Sequence, residues 1–428
     1  MTRAAGVLWR HPDFLKLWAG QAVAMVGGQV GMFVLPLIAI LTLRITPGQL
    51  GLLSAVQALP SFLFGLFAGV WVDRRRRRTI MLSADACRAV VLALIPLAIA
   101  MGVLRFELLC LAGFALGTCG LFFEIAYRAY FPSLVDREHL FEGNSKMAAG
   151  SSVAEAAGPS LGGLLMQLGG ASLTLGVAAA AFAGSALSLL GIRTPEPLPA
   201  VTQERRSVLA DIGFGLGLVR SHPGMRAMAS ASATMAFFTG LTGVGSQVVA
   251  YWTVSLHITP VVLGLIMTLG SPASFLGIWL AGQARQILGI GPTMIGGSML
   301  CGAATLVMSN AHGPWTVGLV MFAHCCFVIG LVTTGVTQTS VVQAITPAHL
   351  MGRTHASMRF LVWTATPVGA VVGGLLAGRF GVQAMLIMAG VGMLCVAPLW
   401  LVASPVRTWR GSMAPTERGL ERVPAGPA

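Results

Sequence analysis

Charged side chains are the scarcest class of residue in this chain. Only 10% of its 428 residues are charged, whereas ordinary soluble domains carry about 25%. The hydrophobic share is 55%, and the mean hydropathy is +0.81. A chain of this length with so little charge is not a soluble globular protein, and its composition indicates an integral membrane protein.

Signatures of catalysis are missing as well. The sequence contains no HExxH or Walker A motif, so the zinc-dependent hydrolysis and the nucleotide binding that need those motifs have no support. The 7 cysteines follow no metal-binding spacing, which favours packing roles for them. We therefore expect no enzyme activity, no metal site and no cofactor.

Apolar runs of spanning length, about 20 residues each, predict an all-α integral membrane protein with about twelve transmembrane helices. We place these helices at 17–43, 47–72, 79–103, 106–130, 144–168, 171–192, 227–255, 260–284, 290–309, 313–341, 354–379 and 383–403. An even number of crossings puts both termini on the same side of the bilayer.

Basic residues lie almost entirely on one side of this predicted bundle. The loops on the side of the termini hold 23 lysines and arginines, and the opposite loops hold only Arg44, Arg105 and Arg379. Because cytoplasmic loops are enriched in Lys and Arg, we expect a protein of the inner cell membrane with both termini in the cytoplasm. The net charge of +13 then reflects topology, and we expect no nucleic-acid partner.

Short segments recur at nearly half the length of the chain. His11-Pro12 recurs as His222-Pro223, and Ile45-Thr-Pro47 recurs as Ile258-Thr-Pro260. Internal repeats of this kind are typical of transporters built from two related halves. The recurrence predicts two pseudo-symmetric six-helix halves, 1–192 and 223–403, joined by a cytoplasmic linker, 193–222, and followed by a disordered tail, 404–428.

The stretch from Gly69 to Arg78 carries five consecutive arginines between two apolar runs. Each arginine costs about 3 kcal/mol at the centre of a bilayer, so the five must lie in a tight turn between two helices. The spacing Gly-x-x-x-Asp-Arg-x-Arg-Arg resembles the loop between the second and third helices of the major facilitator superfamily, although Arg76 stands where that family has an inner glycine. The resemblance implies a gate motif made of Gly69, Asp73, Arg74, Arg77 and Arg78.

In that superfamily the aspartate of the gate motif meets the amino-terminal end of the eleventh helix, where the helix dipole favours an anion. The resemblance therefore implies that Asp73 meets a helix beginning near residues 353–354. The alternative is that Asp73 only neutralises the arginines beside it.

A second motif, Gly158-Pro-Ser-Leu-Gly162-Gly163, lies in the predicted fifth helix. It resembles the superfamily's antiporter motif, which implies proton-driven exchange; the alternative is a kinked helix that packs closely through its small residues. The motif residues are Gly158, Pro159, Gly162 and Gly163. Together with the segments 122–132 and 144–147, the pattern resembles the branch of the enterobactin exporter and the macrolide-efflux-like permeases.

Ionisable residues inside membrane helices are functional candidates. Asp85 and Arg88 are three residues apart, and Glu124 and Arg128 are four apart, so each pair shares a helix face. They are candidates for proton coupling, although a charge network that anchors the arginine turn is the interpretation we favour. Glu155 differs, because no basic residue lies within four positions of it. A carboxylate in apolar surroundings is readily protonated, so Glu155 is predicted to be either a proton carrier or a protonated residue hydrogen-bonded to a neighbouring helix.

Uncharged polar residues within the apolar runs would line a substrate path or form packing hydrogen bonds. The candidates are Gln29, Gln57, Gln247, His324, Thr334 and Gln338. We expect a monomeric secondary transporter in the lipid bilayer that exports a small amphipathic or apolar compound in exchange for protons by alternating access. An importer or uniporter is the alternative, and an integral-membrane sensor or enzyme is a weaker one.

Overall fold

The computed structural model describes residues 7–194, 196, 217, 219–243, 246–346 and 350–409, and this part of the chain is helical without β-strands. Among the described residues, nine helices are long and apolar enough to cross a membrane. One of the nine is 51 residues long, whereas about 20 residues are enough for one crossing. The composition-based expectation of an all-α membrane protein is therefore confirmed.

The first two helices of the chain begin at strong capping sequences. His11 and Thr46 each accept a backbone N–H at the start of a helix, and a proline follows each of them, which is the preferred first helical residue. The helices are α1 (Pro12–Leu41), α2 (Pro47–Asp73), α3 (Arg77–Ala100), α4 (Phe106–Leu134) and α5 (Leu140–Leu190). Helix α5 bends at Gly170, whose φ of 65° is left-handed, and residues 171–190 beyond the bend are called α6 here.

The second part of the chain is more interrupted. Its helices are α7 (Pro223–Leu241), α8 (Ser246–Val254), α9 (Pro260–Thr268), α10 (Gly270–Ile287), α11 (Ile290–Ser309), α12 (Thr316–Ile345), α13 (Met351–Phe380), α14 (Val382–Val391) and α15 (Ala397–Val402), with a π-helical stretch, Gly392–Val396, between the last two. Each of the twelve predicted segments overlaps these helices. Two predicted helices, 227–255 and 260–284, are each divided into two shorter ones.

The chain folds into two compact units. The first comprises Met1–Gln203 and Val249–Ser271, and the second comprises Glu204–Val248 and Pro272–Ala428. This division departs from the predicted halves in one respect, because residues 249–271 group with the first unit. The physical reason is the close packing of α9 on α5, which is described below.

One face of the first unit gathers the ends of several helices. The carboxylate of Asp13, at the start of α1, accepts the backbone N–H of Arg193, just after α6. The side chain of Arg77, at the start of α3, donates to the carbonyl of Ala129 near the end of α4. We call this the terminal face, because the first described residues lie beside it. A buried cluster that includes Phe14, Met81 and Tyr130 packs beneath it.

The internal repeat reappears in the backbone. Arg44 and His257 are the non-glycine residues with positive φ in the described chain, at 49° and 53°, and they are 213 positions apart. The residue after each donates its N–H six positions back, Ile45 to Ala39 and Ile258 to Trp252. The corresponding helices of the two sequence repeats therefore end in the same left-handed cap.

The carboxyl-terminal tail is ordered for longer than predicted. Pro405–Thr408 form a 3-10 helix, and Val406 is fully buried. The N–H of Ile290 donates to the carbonyl of Trp409 at 2.9 Å, which ties the chain to the start of α11. The prediction of disorder is therefore wrong for residues 404–409. Most of the predicted linker, 193–222, and the chain beyond 409 lie outside the described residues.

Candidate functional site

The arginine-rich turn between α2 and α3 is short, because α2 ends at Asp73 and α3 begins at Arg77. Arg74 is exposed, and a Cβ atom added to Gly69 would meet nothing within 4 Å. The side chain of Asp73 lies outside the described part of the structure, so its role in a gate stays a prediction. The eleventh predicted helix, α13, begins at Met351, less than one turn before the expected position.

The last two arginines of the motif bind the ends of other helices in the first unit. The guanidinium of Arg78 donates from Nε to the carbonyl of Leu189 and from Nη2 to that of Leu190, both at 2.8 Å. Arg77 donates from Nη1 to the carbonyl of Ala129 at 3.3 Å. Cations are favourable at carboxyl-terminal helix ends, so these side chains join α3 to α6 and α4.

Glu196 is a residue of this site that the sequence did not suggest. Its carboxylate accepts the backbone N–H groups of Arg77 at 2.7 Å and of Arg78 at 3.2 Å, one with each oxygen. Arg76 occupies the N-cap position of α3 and makes no side-chain capping bond. The missing cap was visible in the sequence, but nothing local indicated that its replacement lies more than a hundred residues away.

Asp13 holds the chain just before Glu196. Its Oδ2 accepts the N–H of Arg193 at 3.0 Å, the N–H of Thr194 at 2.8 Å and the hydroxyl of Thr194 at 2.7 Å. Its Oδ1 accepts Lys16 Nζ at 2.8 Å, and the same Nζ donates to the carbonyl of Gly191 at 2.7 Å. The first residues after α6 are thus fixed to the terminal face.

Asp85 lies at the centre of a buried polar cluster in the first unit. It is 0% exposed and accepts the hydroxyl of Ser185 at 2.6 Å and Nη1 of Arg88 at 3.2 Å. Gln21 donates to the same serine hydroxyl at 3.2 Å. The hydrogen bonds of this cluster join α1, α3 and α6. Because buried polar groups need partners, the loss of any one of these side chains would leave another without its hydrogen bond.

The two predicted charge pairs form, but in different environments. The guanidinium of Arg88 lies between the rings of Phe123 and Phe182, 5.1 Å from each centroid, which is a favourable cation–π arrangement. Glu124 and Arg128 are 2.5 Å apart, with side chains 50% and 64% exposed. The contacts described at the start of α3 are those of Arg77 and Arg78 with helix ends and with Glu196. The role of the two charge pairs as an anchor of the arginine turn stays a prediction.

The glycine-rich motif of α5 allows α1 to approach closely. A Cβ atom added to Gly158 would clash with Cβ of Gln29, and one added to Gly162 would lie 3.1 Å from the ring of Phe33. The helix continues through Pro159. Gln29, a predicted path residue, therefore packs against the motif.

The other side of the motif meets α9. A Cβ atom added to Gly163 would clash with the carbonyl oxygen of Pro260, and one added to Gly264 would lie 2.9 Å from Cα of Ser160. The hydroxyls of Ser160 and Thr268 are hydrogen-bonded at 2.6 Å. Glycine on both helices brings their backbones together, as in other membrane helix pairs, and this contact places α9 in the first unit.

Glu155 lies one turn before the motif and is exposed. The hydroxyl of Ser151, on the same helix, donates to its Oε1 at 3.0 Å. Val153, Leu164 and Leu168 are 63%, 45% and 72% exposed, which marks the lipid-facing side of a membrane helix. At about 100° per residue, Glu155 points roughly opposite to these three residues, between the sides of α5 that meet α1 and α9.

Two predicted path residues are enclosed between helices. Gln57 packs on α4, where a Cβ atom added to Gly113 would lie 2.9 Å from its Cγ. Thr334 is buried, donates to the carbonyl of Gly330 at 2.9 Å and fills the space beside Gly297. These contacts favour packing roles for both.

The remaining predicted path residues lie in the second unit. Gln338 accepts a short hydrogen bond from the hydroxyl of Ser232, which joins α12 to α7. His324 is half-buried on α12. Gln247 lies on α8, and its side chain is outside the described part of the structure. The path role of these residues stays a prediction.

Similarity to known proteins covers most of the chain. The model of the Major Facilitator Superfamily matches residues 17–366. The chain is 28% identical to the multidrug efflux pump Tap of Mycolicibacterium fortuitum over 80% of its length and 84% of the relative's. It is 23% identical to macrolide efflux protein A of Streptococcus pyogenes, covering 92% and 96% of the two chains. Identity to the enterobactin exporter EntS of Citrobacter koseri is 24%, over 92% of each chain.

Among solved structures, the fold is similar to that of a bacterial homologue of the iron transporter ferroportin in its inward-facing state. The TM-score is 0.74 at 17% identity, with 91% of this chain and 98% of that chain covered. At 17% identity, this similarity shows a shared fold and does not show a shared substrate.

Proposed function

Because this chain belongs to the Major Facilitator Superfamily, it is a transporter, and we propose that it exports a small amphipathic or apolar compound in exchange for protons. The relatives named above are efflux proteins, which favours export over import. Enzyme or sensor activity has no support from these relatives.

The proposed orientation places both termini in the cytoplasm of a bacterial cell, with the protein in the inner membrane. It rests on the 23 basic residues on the side of the termini against 3 on the other, and on the enrichment of Lys and Arg in cytoplasmic loops. Reporter fusions after Arg77 and near Gln203 should both report a cytoplasmic location. A periplasmic signal at either position would contradict the orientation.

The observation that carries the proton-coupled mechanism is the position of Glu155. It lies on α5 away from the lipid-facing side, and the bond described for it comes from Ser151 on the same helix. Asp85, Glu124 and Glu142 each form an ion pair, at 3.2, 2.5 and 2.6 Å. Within the described residues, no ion pair involves Glu155, so no cation has to be displaced when a proton binds to it.

In the proposed cycle Glu155 takes a proton from the outside and releases it to the cytoplasm. Protonation removes a charge whose transfer through an apolar environment is costly, and this allows the change between the two access states. A glutamine at this position is a permanent mimic of the protonated state. It keeps the shape of the side chain and removes the proton exchange.

The substrate class follows from the chemistry that the relatives handle and from the chain's own composition. Those relatives are named for macrolides, for multiple drugs and for enterobactin. Twenty-one methionines and twenty phenylalanines provide adaptable apolar surface. A test panel should therefore contain a macrolide, enterobactin and several unrelated amphipathic drugs.

The test of this function is export from cells that lack their own pumps, with wild type, Glu155→Gln and Glu138→Gln compared at equal membrane levels. Glu138 is an exposed residue outside the helices that carry the motifs, so its neutralisation is the matched control. Wild type and Glu138→Gln should lower the accumulation of at least one compound, and Glu155→Gln should not.

Two outcomes would overturn the proposal. Full pH-driven export by Glu155→Gln would remove Glu155 as the proton carrier. Accumulation of a compound that rises with wild-type expression would indicate an importer or a uniporter, the alternative that needs no carboxylate cycle.

A further inference from the structure

The amino-terminal end of α3 is electrostatically unfavourable as the sequence builds it. The first N–H groups of a helix have no acceptor within the helix, and the positive end of the helix dipole repels cations. Here Arg76, Arg77 and Arg78 occupy that end, and the N-cap side chain makes no capping bond. A helix with this start needs an acceptor from another part of the chain.

Glu196 provides that acceptor from the segment that follows α6. Its two carboxylate oxygens take the N–H groups of Arg77 and Arg78, at 2.7 and 3.2 Å. A carboxylate is also the charge that the helix dipole favours at this end. One side chain thus satisfies two backbone donors and offsets part of the repulsion among the arginines.

The position of Glu196 is itself fixed by the chain before it. Asp13 accepts three hydrogen bonds from Arg193 and Thr194, at 2.7 to 3.0 Å. Only one residue separates Thr194 from Glu196, so the carboxylate cannot move far from the start of α3. The first residues of the linker are therefore a part of the first unit's terminal face.

We propose that Glu196 is a positioning residue of the gate: as the cap of α3, it holds the arginine turn, residues 74–76, in place. The turn has α2 on one side and the capped first turn of α3 on the other. Without Glu196 its second end loses the acceptor of its backbone N–H groups and keeps the side-chain bonds of Arg77 and Arg78. The effect on transport rests on the function proposed above, whereas the effect on the turn does not.

The direct test is hydrogen exchange of the purified full-length protein in lipid nanodiscs, followed by mass spectrometry of peptides that cover residues 74–80. Glu196→Gln should raise the exchange rate at the start of α3 by about tenfold, which corresponds to the loss of one helix cap. Glu196→Asp, which keeps the charge, should restore part of the protection. Glu138→Gln has the same change in charge and should leave this exchange unchanged.

The functional readout is the export rate as a function of substrate concentration, with a compound that wild type exports. Glu196→Gln should lower the maximal rate several-fold and leave KM unchanged, because a gate residue does not contact substrate. Partial rescue by Glu196→Asp distinguishes capping from a loss of folded protein, which equal membrane levels also exclude.

Unchanged exchange at residues 74–80 in Glu196→Gln would overturn the capping role. Faster exchange with an unaltered maximal rate would overturn the positioning role and leave a cap that serves stability alone. If wild type exports none of the compounds, the proposed function fails while the exchange comparison still decides the capping role.

Discussion

Replacement of Gly163 by alanine tests the contact between α5 and α9. A Cβ atom at this position would lie 3.0 Å from the carbonyl carbon of Pro260 and 3.2 Å from Cα of Val261, besides its clash with the carbonyl oxygen. Carbon atoms pack best at about 3.5 to 4.0 Å. All the obstructing atoms are backbone, so no side chain can rotate away and the two helices must separate.

The size of the effect follows from two opposing contributions. Overpacking of a close contact costs about 1 to 3 kcal/mol, while alanine gains about 0.5 to 1 kcal/mol over glycine within a helix. Gly176 in α6 provides a matched control, because a Cβ atom there would meet nothing within 4 Å. Gly176→Ala should show only the stabilisation of alanine over glycine within a helix. The free energies of unfolding of the two variants should therefore differ by about 1 to 3 kcal/mol, the cost of overpacking.

The assay is thermal unfolding of both purified variants under the same conditions. Gly163→Ala should unfold about 2 to 6 °C below Gly176→Ala, and Gly176→Ala should equal or exceed wild type. Equal melting temperatures for the two variants would show that α5 and α9 do not approach as closely as described. The grouping of residues 249–271 with the first unit would then lose its physical basis.

Three further predictions concern stability and are measured by thermal unfolding. Arg44→Gly and His257→Gly should each stabilise the protein by up to about 1 kcal/mol, because both residues hold a left-handed backbone that glycine adopts without strain; a lower melting temperature would contradict this. Asp85→Asn should cost about 3 kcal/mol by leaving a buried cation without its counter-charge, whereas the control Glu124→Gln, in an exposed pair, should cost less than about 1 kcal/mol; equal losses would refute the distinction. Burial lowers the pKa of His222, whose neutral ring caps α7, so its stabilising effect is present above its ordinary pKa of 6.5 and is lost as pH falls through the lowered value. The difference in melting temperature between wild type and His222→Ala should therefore narrow from about pH 7.5 to about pH 5. A difference that widens as the pH falls would contradict the capping role of the neutral ring.

The helices were predictable because their signals are local. A run of about 20 apolar residues specifies a crossing wherever it occurs, and the His-Pro and Thr-Pro pairs mark helix starts through capping that needs only adjacent residues. The break between the fifth and sixth helices was expected between 168 and 171, and it lies at Gly170. The ordered tail was missed because Val406 and Trp409 are anchored by residues more than a hundred positions earlier.

The candidate site was less predictable, because its decisive contacts join distant parts of the chain. Arg88 was expected beside Asp85 from their spacing, but Ser185, exactly one hundred residues further on, was not. The sequence places Glu196 in the predicted linker, 193–222, and indicates no partner for it. Thr334 has a polar side chain among apolar neighbours, as a path residue would, yet it fills the space beside a glycine on another helix. Sequence patterns do not distinguish these roles, since both require a small polar residue within a membrane helix.

The central claim, proton exchange through Glu155, is tested most directly by proton movement itself. The purified protein is reconstituted in proteoliposomes with the same pH inside and outside. An outwardly directed concentration gradient of a compound that it exports is then imposed, and the internal pH is followed with a trapped dye. Wild type and Glu138→Gln should acidify the lumen as the compound leaves, and Glu155→Gln should move the compound without a change in pH. Substrate efflux by wild type at constant internal pH, or acidification that persists in Glu155→Gln, would contradict the account.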